Sequence, residues 1–387
     1  MPRSISAVST ASSIGPGPHA AMLLADLGAD VVRVERATEV NDLNVTFDRN
    51  ILLRGRTLVA ADLKKAADVA AVLELVAEAD VLIEGFRPGV MERLGLGPDV
   101  CGAVNTGLVY GRMTGWGQDG PLARTSGHDL NYISLTGLLD NIGRRGERPV
   151  PPLNLVGDYG GGSLFLVFGV LAALWERQAS GCGQVVDAAI VDGASSLAQL
   201  MWSMRATHQW QPGRGRNLLD GSVPFYDTYE CRDGKHVAVG SIESRFFAEL
   251  LDGLDLAPES LPEQWDSEGW PKLREAIAQA FHAKTRDEWT VVFAGTDACV
   301  TPVLTFDEAA RHPHLSARGV IDTVDGVEQA MPAPRFSRTA SSVPDVPPPG
   351  RSSIGLEVAR WRARPAADVL SDSSCSPSED PDLSKSP

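Results

Sequence analysis

The feature that most constrains this chain is the repeated alternation of helical patterns with short runs of β-branched residues. A helical pattern over residues 19–27 precedes the apolar run 31–34. Another helical pattern at 65–78 precedes a strand pattern at 81–84, and a further strand pattern follows at 107–113. Because helices that alternate with apolar strands cover both faces of a parallel sheet, this order predicts an α/β fold.

The first glycine-rich turn has the spacing of a dinucleotide-binding fingerprint. A Gly-x-Gly-x-x-Ala pattern occupies residues 15–20 before a helix, and Glu35 ends the next strand. In that motif, backbone N–H groups hold a pyrophosphate. Pro16 and Pro18 lack such groups, and residues 4–13 form a poor strand pattern. We interpret the turn as a proline-stiffened entry to a helix, and an NAD-dependent dehydrogenase is the remote alternative.

The later part of the chain contains one strongly apolar helix and then changes style. A glycine run opens a helix that is apolar nearly all round through Trp175, and we place this helix in the core. Farther on, strand patterns at 225–230 and 235–240 flank a hairpin turn. Amphipathic helix patterns follow at 244–252 and 270–282, so this region is predicted to form a second, α+β domain.

Charge, cysteine content and hydropathy exclude several classes of protein. The 35 basic and 50 acidic residues give a formal net charge of −15, so no nucleic-acid partner is expected. The five cysteines are widely spaced, which indicates neither a disulfide framework nor a zinc cluster and is typical of a reducing cytoplasm. Residues 163–175 are fewer than the ~18 to 20 apolar residues that cross a bilayer, and residues 1–13 lack a signal-peptide core. We expect no membrane span and no export.

Three titratable residues are candidates for acid–base chemistry. His128 lies in a polar island ahead of an apolar run, and histidine is well suited to moving protons near neutral pH. Asp158 lies at a predicted helix start, where it is either an N-cap or a base beside amides that hold an oxyanion. Glu243 ends a strand and either caps the next helix or orients a histidine across a cleft. The residues alone leave these alternatives open.

Several ordered motifs resemble those of a known family. They are Gly-Pro-Gly-Pro at 15–18, Ala-Asp-Leu-Gly-Ala-Asp-Val-Val-Arg-Val-Glu-Arg at 25–36, Ala-Asp-Leu-Lys at 61–64, Glu-Gly-Phe-Arg-Pro-Gly-Val-Met-Glu-Arg-Leu-Gly at 84–95, Gly-His-Asp-Leu-Asn-Tyr at 127–132, Pro-Leu-Asn-Leu-Val-Gly-Asp at 152–158 and Gly-Gln-Val-Val-Asp-Ala at 183–188. Together they resemble the α-methylacyl-CoA racemases of the family III CoA-transferase superfamily, over about residues 14–339.

This resemblance implies an architecture. Each chain would have a Rossmann-like large domain, built from both ends of the chain, and a smaller domain from its middle. Two chains would form an intertwined homodimer, with each active site between the large domain of one chain and the small domain of the other. The implied divisions are 1–210 for the first part of the large domain, 211–222 for a linker, 223–325 for the small domain, 326–365 for a return segment that completes the large domain, and 366–387 for a disordered tail.

The resemblance also implies residue roles. His128 and Asp158 would be the acid–base pair on opposite faces of the α-carbon, and Glu243 would pair with the histidine. The implied reaction interconverts (2R)- and (2S)-2-methylacyl-CoA through an enolate. It uses no metal or redox cofactor, and coenzyme A is part of the substrate. The positions that would line the substrate and coenzyme A site are Arg36, Ala61, Asp62, Leu63, Lys64, Arg87, Arg93, Gly127, Asp129, Leu130, Asn131 and Tyr132.

Two other functions remain alternatives, and the end of the sequence predicts a location. A family III CoA-transferase would use Asp158 as a covalent nucleophile and would need no second base. An inactive CoA-binding protein would result if the Ser-rich segment 4–13, which replaces the family's usual apolar first strand, destabilised that edge of the sheet. The chain closes on Ser-Lys-Ser-Pro at 384–387 rather than on a peroxisomal signal, from which we predict a cytoplasmic location.

Overall fold

The central feature of the fold is a parallel six-stranded sheet. The structure is a computed structural model that describes residues 5–10, 15–36, 50–348 and 350–364, so the predicted tail at 366–387 lies outside the described residues. The strands of this sheet are β1 (Ser6–Thr10), β2 (Asp30–Glu35), β3 (Arg56–Ala60), β4 (Val81–Glu84), β5 (Val109–Thr114) and β6 (Val185–Ala189). Their order is β3-β2-β1-β4-β5-β6, and every neighbouring pair is parallel. The predicted α/β fold with a Rossmann-like parallel sheet is confirmed.

Helices connect and cover these strands. The α-helices are α1 (Pro16–Asp26), α2 (Ala66–Ala77), α3 (Val90–Arg93), α4 (Pro98–Val104), α5 (Asp129–Leu135), α6 (Leu164–Ser180), α7 (Ile190–Leu197), α8 (Gln199–Ala206), α9 (Ser244–Gly253), α10 (Trp270–Phe281), α11 (Arg286–Val292), α12 (Phe306–Ala310), α13 (Pro313–Ala317) and α14 (Ile354–Arg362). A π-helix, Leu155–Ser163, runs directly into α6, and 3₁₀ turns occur at Ile51–Leu53, Leu139–Asn141 and Pro258–Ser260. The predicted helices at 19–27 and 65–78 and the strand at 81–84 are confirmed as α1, α2 and β4.

Two hydrophobic clusters cover the two faces of the parallel sheet. Val8 and Val32 belong to the cluster that includes residues of α2, α4 and α14. Their chain neighbours Ala7 and Val31 belong to the cluster that includes residues of α1 and α6. Because successive residues of a strand point to opposite faces, apolar side chains at consecutive positions serve both clusters.

The first strand differs from the sequence-based expectation. Residues 4–13 have a poor strand pattern and were expected at an edge of the sheet, but β1 lies between β2 and β4, and all five of its residues are buried. Two of its three hydroxyl groups have partners: Ser6 Oγ lies 3.0 Å from Asp80 Oδ2, and Thr10 Oγ1 donates to the Ile83 carbonyl at 3.3 Å. The expectation was wrong because pairing on both sides outweighs the weak strand propensity of serine.

The apolar helix α6 is only half buried, although its sequence placed it wholly in the core. Leu166 and Val170 are fully buried against the sheet. On the opposite side, Phe168 and Trp175 are 72% and 75% exposed. Composition alone could not show which side of α6 is buried, because both sides are apolar. The structure therefore leaves a broad apolar face of α6 uncovered within one chain.

The π-helix and α6 together make a longer apolar helix than the sequence suggested. They span Leu155–Ser180, which within the described residues is the one helix long and apolar enough, by those criteria alone, to cross a bilayer. The argument from a short apolar stretch at 163–175 is therefore wrong. A core helix of a globular protein passes the same test, so this helix is weak support for a span, and the absence of one stays a prediction.

A second sheet lies in the middle of the chain. Strands β7 (Tyr226–Glu230), β8 (His236–Gly240) and β9 (Val300–Pro302) pair antiparallel, and they share a hydrophobic cluster with α9, α10 and α11. The predicted hairpin is confirmed, because Glu230 pairs with His236 and Gly234 turns with a φ of 74°. The two predicted amphipathic helices are confirmed as α9 and α10.

The chain returns to the parallel sheet after this region. Strands β10 (Ile321–Val324) and β11 (Val327–Ala330) form a hairpin, so the predicted boundary at 325/326 falls within its turn. Gln329 in β11 accepts a hydrogen bond from Arg54 at 2.9 Å, and Ser352 forms a bridge beside Val59 of β3. The terminal helix α14 was not predicted. The domain boundaries themselves stay a prediction.

Two glycines allow the π-helix to pack directly on α7. A Cβ added to Gly161 would lie 2.5 Å from the backbone nitrogen of Ala194, and a Cβ added to Gly193 would overlap the Gly161 carbonyl. Both residues are buried. The backbones of these two helices therefore approach more closely than any residue with a side chain allows.

We predict that Gly193→Ala destabilises the protein by about 1–3 kcal/mol, because the added methyl group forces the π-helix away from α7. Gly355→Ala in α14 is the matched control, because a Cβ there meets nothing within 4 Å. That control should leave stability unchanged or raise it by up to about 1 kcal/mol. Urea unfolding followed by circular dichroism measures both. Equal stabilities of the two variants would contradict the close packing.

Candidate active site

The residues expected to transfer protons lie near the carboxyl edge of the parallel sheet. The strand order reverses direction between β1 and β4, and in open α/β sheets such a reversal creates the crevice that binds ligands. On the β1 side, Gly15 precedes α1 with a φ of 111° and a ψ of −149°, a conformation that glycine adopts readily. On the β4 side, residues 85–89 lead into α3. The crevice is thus bordered by two turns that follow adjacent strands.

Asp158 lies inside the π-helix rather than at a helix N-cap, so the N-cap alternative is wrong. Its backbone N–H donates to Asp129 Oδ1 at 2.7 Å. Asn154 Nδ2 lies 3.4 Å from Asp158 Oδ2. On the other side the same oxygen faces Gly15, where an added Cβ would lie 3.4 Å from it. The carboxylate is therefore held between the first turn of α1 and its own helix.

The environment of Asp158 favours its protonated form. Partial burial raises the pKa of this carboxyl above its ordinary value, and the negative charge of Asp129 acts in the same direction. The hydrogen bond from Asn154 and the charge of His128 oppose these effects. A carboxylate whose pKa is raised toward the working pH is a better proton acceptor and donor than an ordinary aspartate.

His128 immediately precedes α5 and has an exposed side chain. Its backbone N–H donates to Asn131 Oδ1 at 3.0 Å, which fixes the start of the helix. The following residue, Asp129, is buried and accepts the hydrogen bond from the Asp158 amide. The two candidate bases are therefore connected through a single intervening side chain, and the charge of His128 acts on Asp158.

The rest of the predicted island at 127–132 supports this arrangement. The Tyr132 hydroxyl donates to the Gly127 carbonyl, and its ring packs edge-on against Trp116 with centroids 4.8 Å apart. Burial raises the pKa of Tyr132, and the charge of Asp158 adds to this rise. Leu130 and Asn131 are exposed. The tyrosine thus stabilises the turn that carries His128, while Leu130 faces solvent at the site.

The backbone amides suited to hold an oxyanion differ from those expected. Gly161 and Gly162 are buried against α7 and α1, so they do not open the backbone to a ligand, and the Asp158 amide is already bonded to Asp129. By contrast, the N–H groups of Asp129 and Leu130 have no acceptor within the described residues. They open α5 beside His128, where helix N–H groups point outward.

Glu243 does not contact His128 within one chain. It precedes α9 and is exposed, but its side chain makes no capping hydrogen bond. Within the described residues it forms no hydrogen bond or ion pair with His128. Its charge instead acts on Cys299: burial first, and then Glu243, raise the pKa of that thiol. The expectation that it simply caps α9 is therefore wrong, and its pairing with a histidine stays a prediction.

The positions expected to bind coenzyme A follow strands β2, β3 and β4 at the carboxyl edge of the sheet. Arg36 directly follows β2, Lys64 follows β3, and Arg87 follows β4. All three side chains are exposed, and Arg87 donates to Ser126 Oγ. The remaining positions in this group are Ala61, which is buried, Leu63, which is half-buried, and Asp62 and Arg93, which are exposed. The fold brings these cations to one edge because parallel strands all end there.

The geometry of the first turn fits a dinucleotide poorly. Pro16 and Pro18 occupy the first turn of α1, so they remove N–H groups that would face a pyrophosphate. Glu35, which would bind a ribose, is paired with Arg33 at 3.3 Å and with Arg351 at 2.9 Å. The poor first strand no longer counts against a dehydrogenase, because β1 is a buried strand, but these contacts do.

The described residues contain neither a metal-binding cluster nor a disulfide. Within residues 5–10, 15–36, 50–348 and 350–364, no group of three or more His, Cys, Asp or Glu side chains is arranged to hold a metal ion. Cys101, Cys182, Cys231 and Cys299 are free, and Cys375 lies outside the described residues. The independence of the reaction from metals stays a prediction.

Sequence reasoning missed the residues that hold Asp158. Asp129 was identified only as a substrate contact, and the interaction of Gly15 and Asn154 with the carboxylate was not anticipated. Asn154 is four residues before Asp158, a spacing that places two helical side chains on one face and could have indicated their contact. Nothing in the sequence relates Gly15 to Asp158, because they are far apart in the chain.

Comparison with known proteins agrees with this architecture. The family model for CoA-transferase family III matches residues 7–352. The chain is 45% identical to the α-methylacyl-CoA racemase of Mus musculus, covering 89% of this chain and 88% of the relative. It is 43% identical to the racemase of the same name from Homo sapiens, over 85% of each protein. It is also 30% identical to the succinyl-CoA–L-malate CoA-transferase alpha subunit of Chloroflexus aurantiacus, covering 86% of this chain and 82% of the relative.

Solved structures share the fold at lower sequence identity. A CAIB/BAIF family protein from Brucella suis superimposes with a TM-score of 0.79 at 24% identity, covering 92% of this chain and 98% of the other. The extent of the family match and the identity to the curated relatives together decide the assignment. The chain belongs to CoA-transferase family III.

Proposed function

We propose that this protein is an α-methylacyl-CoA racemase, which interconverts (2R)- and (2S)-2-methylacyl-CoA by moving the α-proton between His128 and Asp158. The racemase relatives, which are 43% and 45% identical over most of the chain, support this reaction and an acyl-CoA substrate. The chain also contains both His128 and Asp158, the two bases of the proposed site. A CoA-transferase would not need the second base.

The observation that carries this proposal is the hydrogen bond from the Asp158 amide to Asp129 Oδ1, at 2.7 Å. It joins the helix that begins after His128 to the helix that contains Asp158. A racemase needs two groups on opposite sides of one carbon atom, fixed relative to each other. Because Asp129 directly follows His128, its hydrogen bond supplies that rigid connection.

The proposed mechanism uses each group in turn. One of the two residues removes the α-proton, and the other returns a proton to the opposite face. The amide N–H groups of Asp129 and Leu130 stabilise the enolate oxygen, because they have no other acceptor within the described residues. The raised pKa of Asp158 helps it both to accept the proton and to release it. No metal or redox cofactor takes part in this proposal.

Coenzyme A binding is assigned to the cations at the carboxyl edge. Arg36, Lys64, Arg87 and Arg93 are exposed there, in a chain whose formal net charge is −15. Cations at this edge would attract the phosphates of coenzyme A, while the acidic remainder would not. The segment 61–63, between β3 and Lys64, would contact the rest of the coenzyme.

The proposal includes a homodimer in which the partner subunit supplies Glu243 to each site. Two observations support it. The apolar face of α6 is uncovered, with Phe168 72% and Trp175 75% exposed, and Trp202 of α8 is 47% exposed. Within the described residues, the Glu243 side chain forms no hydrogen bond or ion pair. A second subunit would cover the apolar face and provide a partner for Glu243. We also propose that this dimer is cytoplasmic.

We predict that the purified protein equilibrates both epimers of a 2-methylacyl-CoA in deuterated water. Deuterium should enter at C2 from either epimer, because each base serves one face. Mass spectrometry and chiral analysis of the product measure the exchange. Turnover that appears only when a free carboxylic acid is added as acceptor would instead favour a CoA-transferase.

Two variants test which residues carry out this exchange. Asp158→Asn should lower racemisation by roughly 10²- to 10⁴-fold, because the amide cannot act as a general base. His128→Ala should be similarly slow in racemisation but retain exchange of one epimer through Asp158. Retention of more than about a tenth of the wild-type rate by Asp158→Asn would exclude its catalytic role.

We predict that Asp129→Asn moves the acidic limb of the kcat/KM profile to lower pH. The negative charge of Asp129 raises the pKa of Asp158. The variant removes that charge but keeps an oxygen that accepts the Asp158 amide, so the Asp158 pKa should fall and its base form should persist to lower pH. The measurement is kcat/KM against pH for the epimer whose proton Asp158 removes.

Asp99→Asn provides the matched control, because Asp99 is exposed on α4 and its loss changes the total charge equally. It should leave the acidic limb in place. An acidic limb that stays in place for Asp129→Asn, or that moves equally in both variants, would contradict the direct action of Asp129 on Asp158.

We predict that two inactive variants complement each other if the site is shared between subunits. Asp158→Asn and Glu243→Ala subunits, unfolded together and refolded, should recover about a quarter of the wild-type activity, because half of the randomly paired dimers contain one intact site of two. Each variant refolded alone is the control. Recovery no greater than the mean of the separate variants would place Glu243 outside the shared site.

A further inference from the structure

A polar contact between α1 and the π-helix has no role in the proposed mechanism. His19, in the first half of α1, places its Nδ1 2.6 Å from the hydroxyl of Ser163. The imidazole also stacks on Tyr159, with ring centroids 4.2 Å apart and planes inclined by 21°. Ser163 is fully buried. A polar side chain therefore joins α1 to the last turn of the helix that carries Asp158.

The direction of this contact depends on the ring tautomer of His19. Ser163 Oγ lies 3.1 Å from the Tyr159 carbonyl and can donate its proton there. A hydroxyl has one proton, so when Ser163 donates to that carbonyl, His19 carries its proton on Nδ1 and donates to Oγ. Burial lowers the pKa of His19 to about 4, so the ring is neutral at physiological pH and carries one proton. A chain of two donors therefore runs from His19 through Ser163 to the Tyr159 carbonyl.

The hydrogen bonds of the Tyr159 carbonyl show the π-helical register. It accepts the backbone N–H of Leu164, five residues later, as well as the Ser163 hydroxyl. In an α-helix the N–H four residues later would bond there instead. The serine hydroxyl and the Leu164 N–H thus share this carbonyl, and the hydroxyl connects it to His19 on α1. His19 orients that hydroxyl.

The register of this turn determines where Asp158 points. A change of one residue would rotate the preceding side chains by about 100° about the helix axis. The first turn of α1 contacts the same segment at two further points: Gly15 faces the Asp158 carboxylate, and an added Cβ at Gly162 would lie 3.0 Å from Pro16 Cβ. Rotation of Asp158 would remove its carboxylate from this position beside Gly15.

We propose that His19 is a positioning residue for Asp158, which it aims by donating through Ser163 to the Tyr159 carbonyl and so holding the π-helical turn. The inference rests on the proposed function only in treating Asp158 as a base. It assigns to His19 no contact with the substrate. A π-helical turn is rare and often occurs at functional sites, and this interaction gives it a cause.

Three variants separate hydrogen bonding from packing. His19→Phe keeps a ring on Tyr159 but has no donor, and Ser163→Ala removes the hydroxyl. His19→Asn keeps an N–H near the position of Nδ1. Ser6→Ala is the matched control for Ser163→Ala, because Ser6 is also fully buried and hydrogen-bonded, through Asp80, at the opposite edge of the sheet.

We expect His19→Phe and Ser163→Ala to lower kcat for α-proton exchange about 10- to 100-fold, with KM within about twofold of wild type. His19→Asn should restore kcat to within about threefold, and the His19→Phe/Ser163→Ala double variant should be no slower than either single one. Ser6→Ala should lower the melting temperature without changing kcat. A wild-type kcat in His19→Phe, or equal losses in His19→Phe and His19→Asn, would overturn the proposal.

A crystal structure of His19→Phe tests the same inference without activity. The expected result is a re-registered turn in which the Asp158 carboxylate has moved away from Gly15. An unchanged turn would refute the positioning role, whatever the reaction of the enzyme. Absence of wild-type exchange would refute the proposed function alone, and the crystal structure would still decide the role of His19.

Discussion

The hydrogen bond between the Asp158 amide and Asp129 Oδ1 is the interaction on which the rest of the site depends. It connects residues 29 positions apart, at 2.7 Å, and it is made from within a helix whose N–H groups normally bond to their own helix. A π-helical turn and a glycine at 157 make it possible, because an added Cβ at Gly157 would occupy the space of the Asp129 carboxylate. The two helices are therefore joined at this contact.

The π-helix and α6, which form one continuous segment, combine two properties that seldom occur together in a helix. Its glycine-rich first part packs backbone to backbone on α7, whereas its second part exposes Phe168 and Trp175. Tight packing fixes the position of Asp158, and the exposed side chains form an apolar face of a kind that marks protein interfaces. In the proposed homodimer, one helix would thus both orient the base and contact the partner that completes the site.

Exposed cations lie beside the crevice of the parallel sheet, although the protein is acidic as a whole. The connections after β2, β3 and β4 carry Arg36, Lys64 and Arg87, all of them exposed. Within the described residues none of these three forms an ion pair, whereas Arg54 bonds Asp26 at 2.6 Å and Arg286 bonds Glu308 at 2.8 Å. The cations beside the crevice are therefore available to an anionic ligand.

The sequence by itself determined the α/β class, the helices and strands with strong periodicity, and the identity of His128 and Asp158 as the candidate bases. Periodicity records which residues face a core, and a family motif identifies its chemical groups. Tertiary structure decided the rest: β1 became a central strand because β2 and β4 bury it, and α6 remained half exposed because one chain covers only one of its apolar sides. It also decided how Asp158 is held, since Gly15 and Asp129 contact it from distant parts of the chain. Such contacts leave no periodic signal, because they depend on where separate elements meet in space rather than on local spacing.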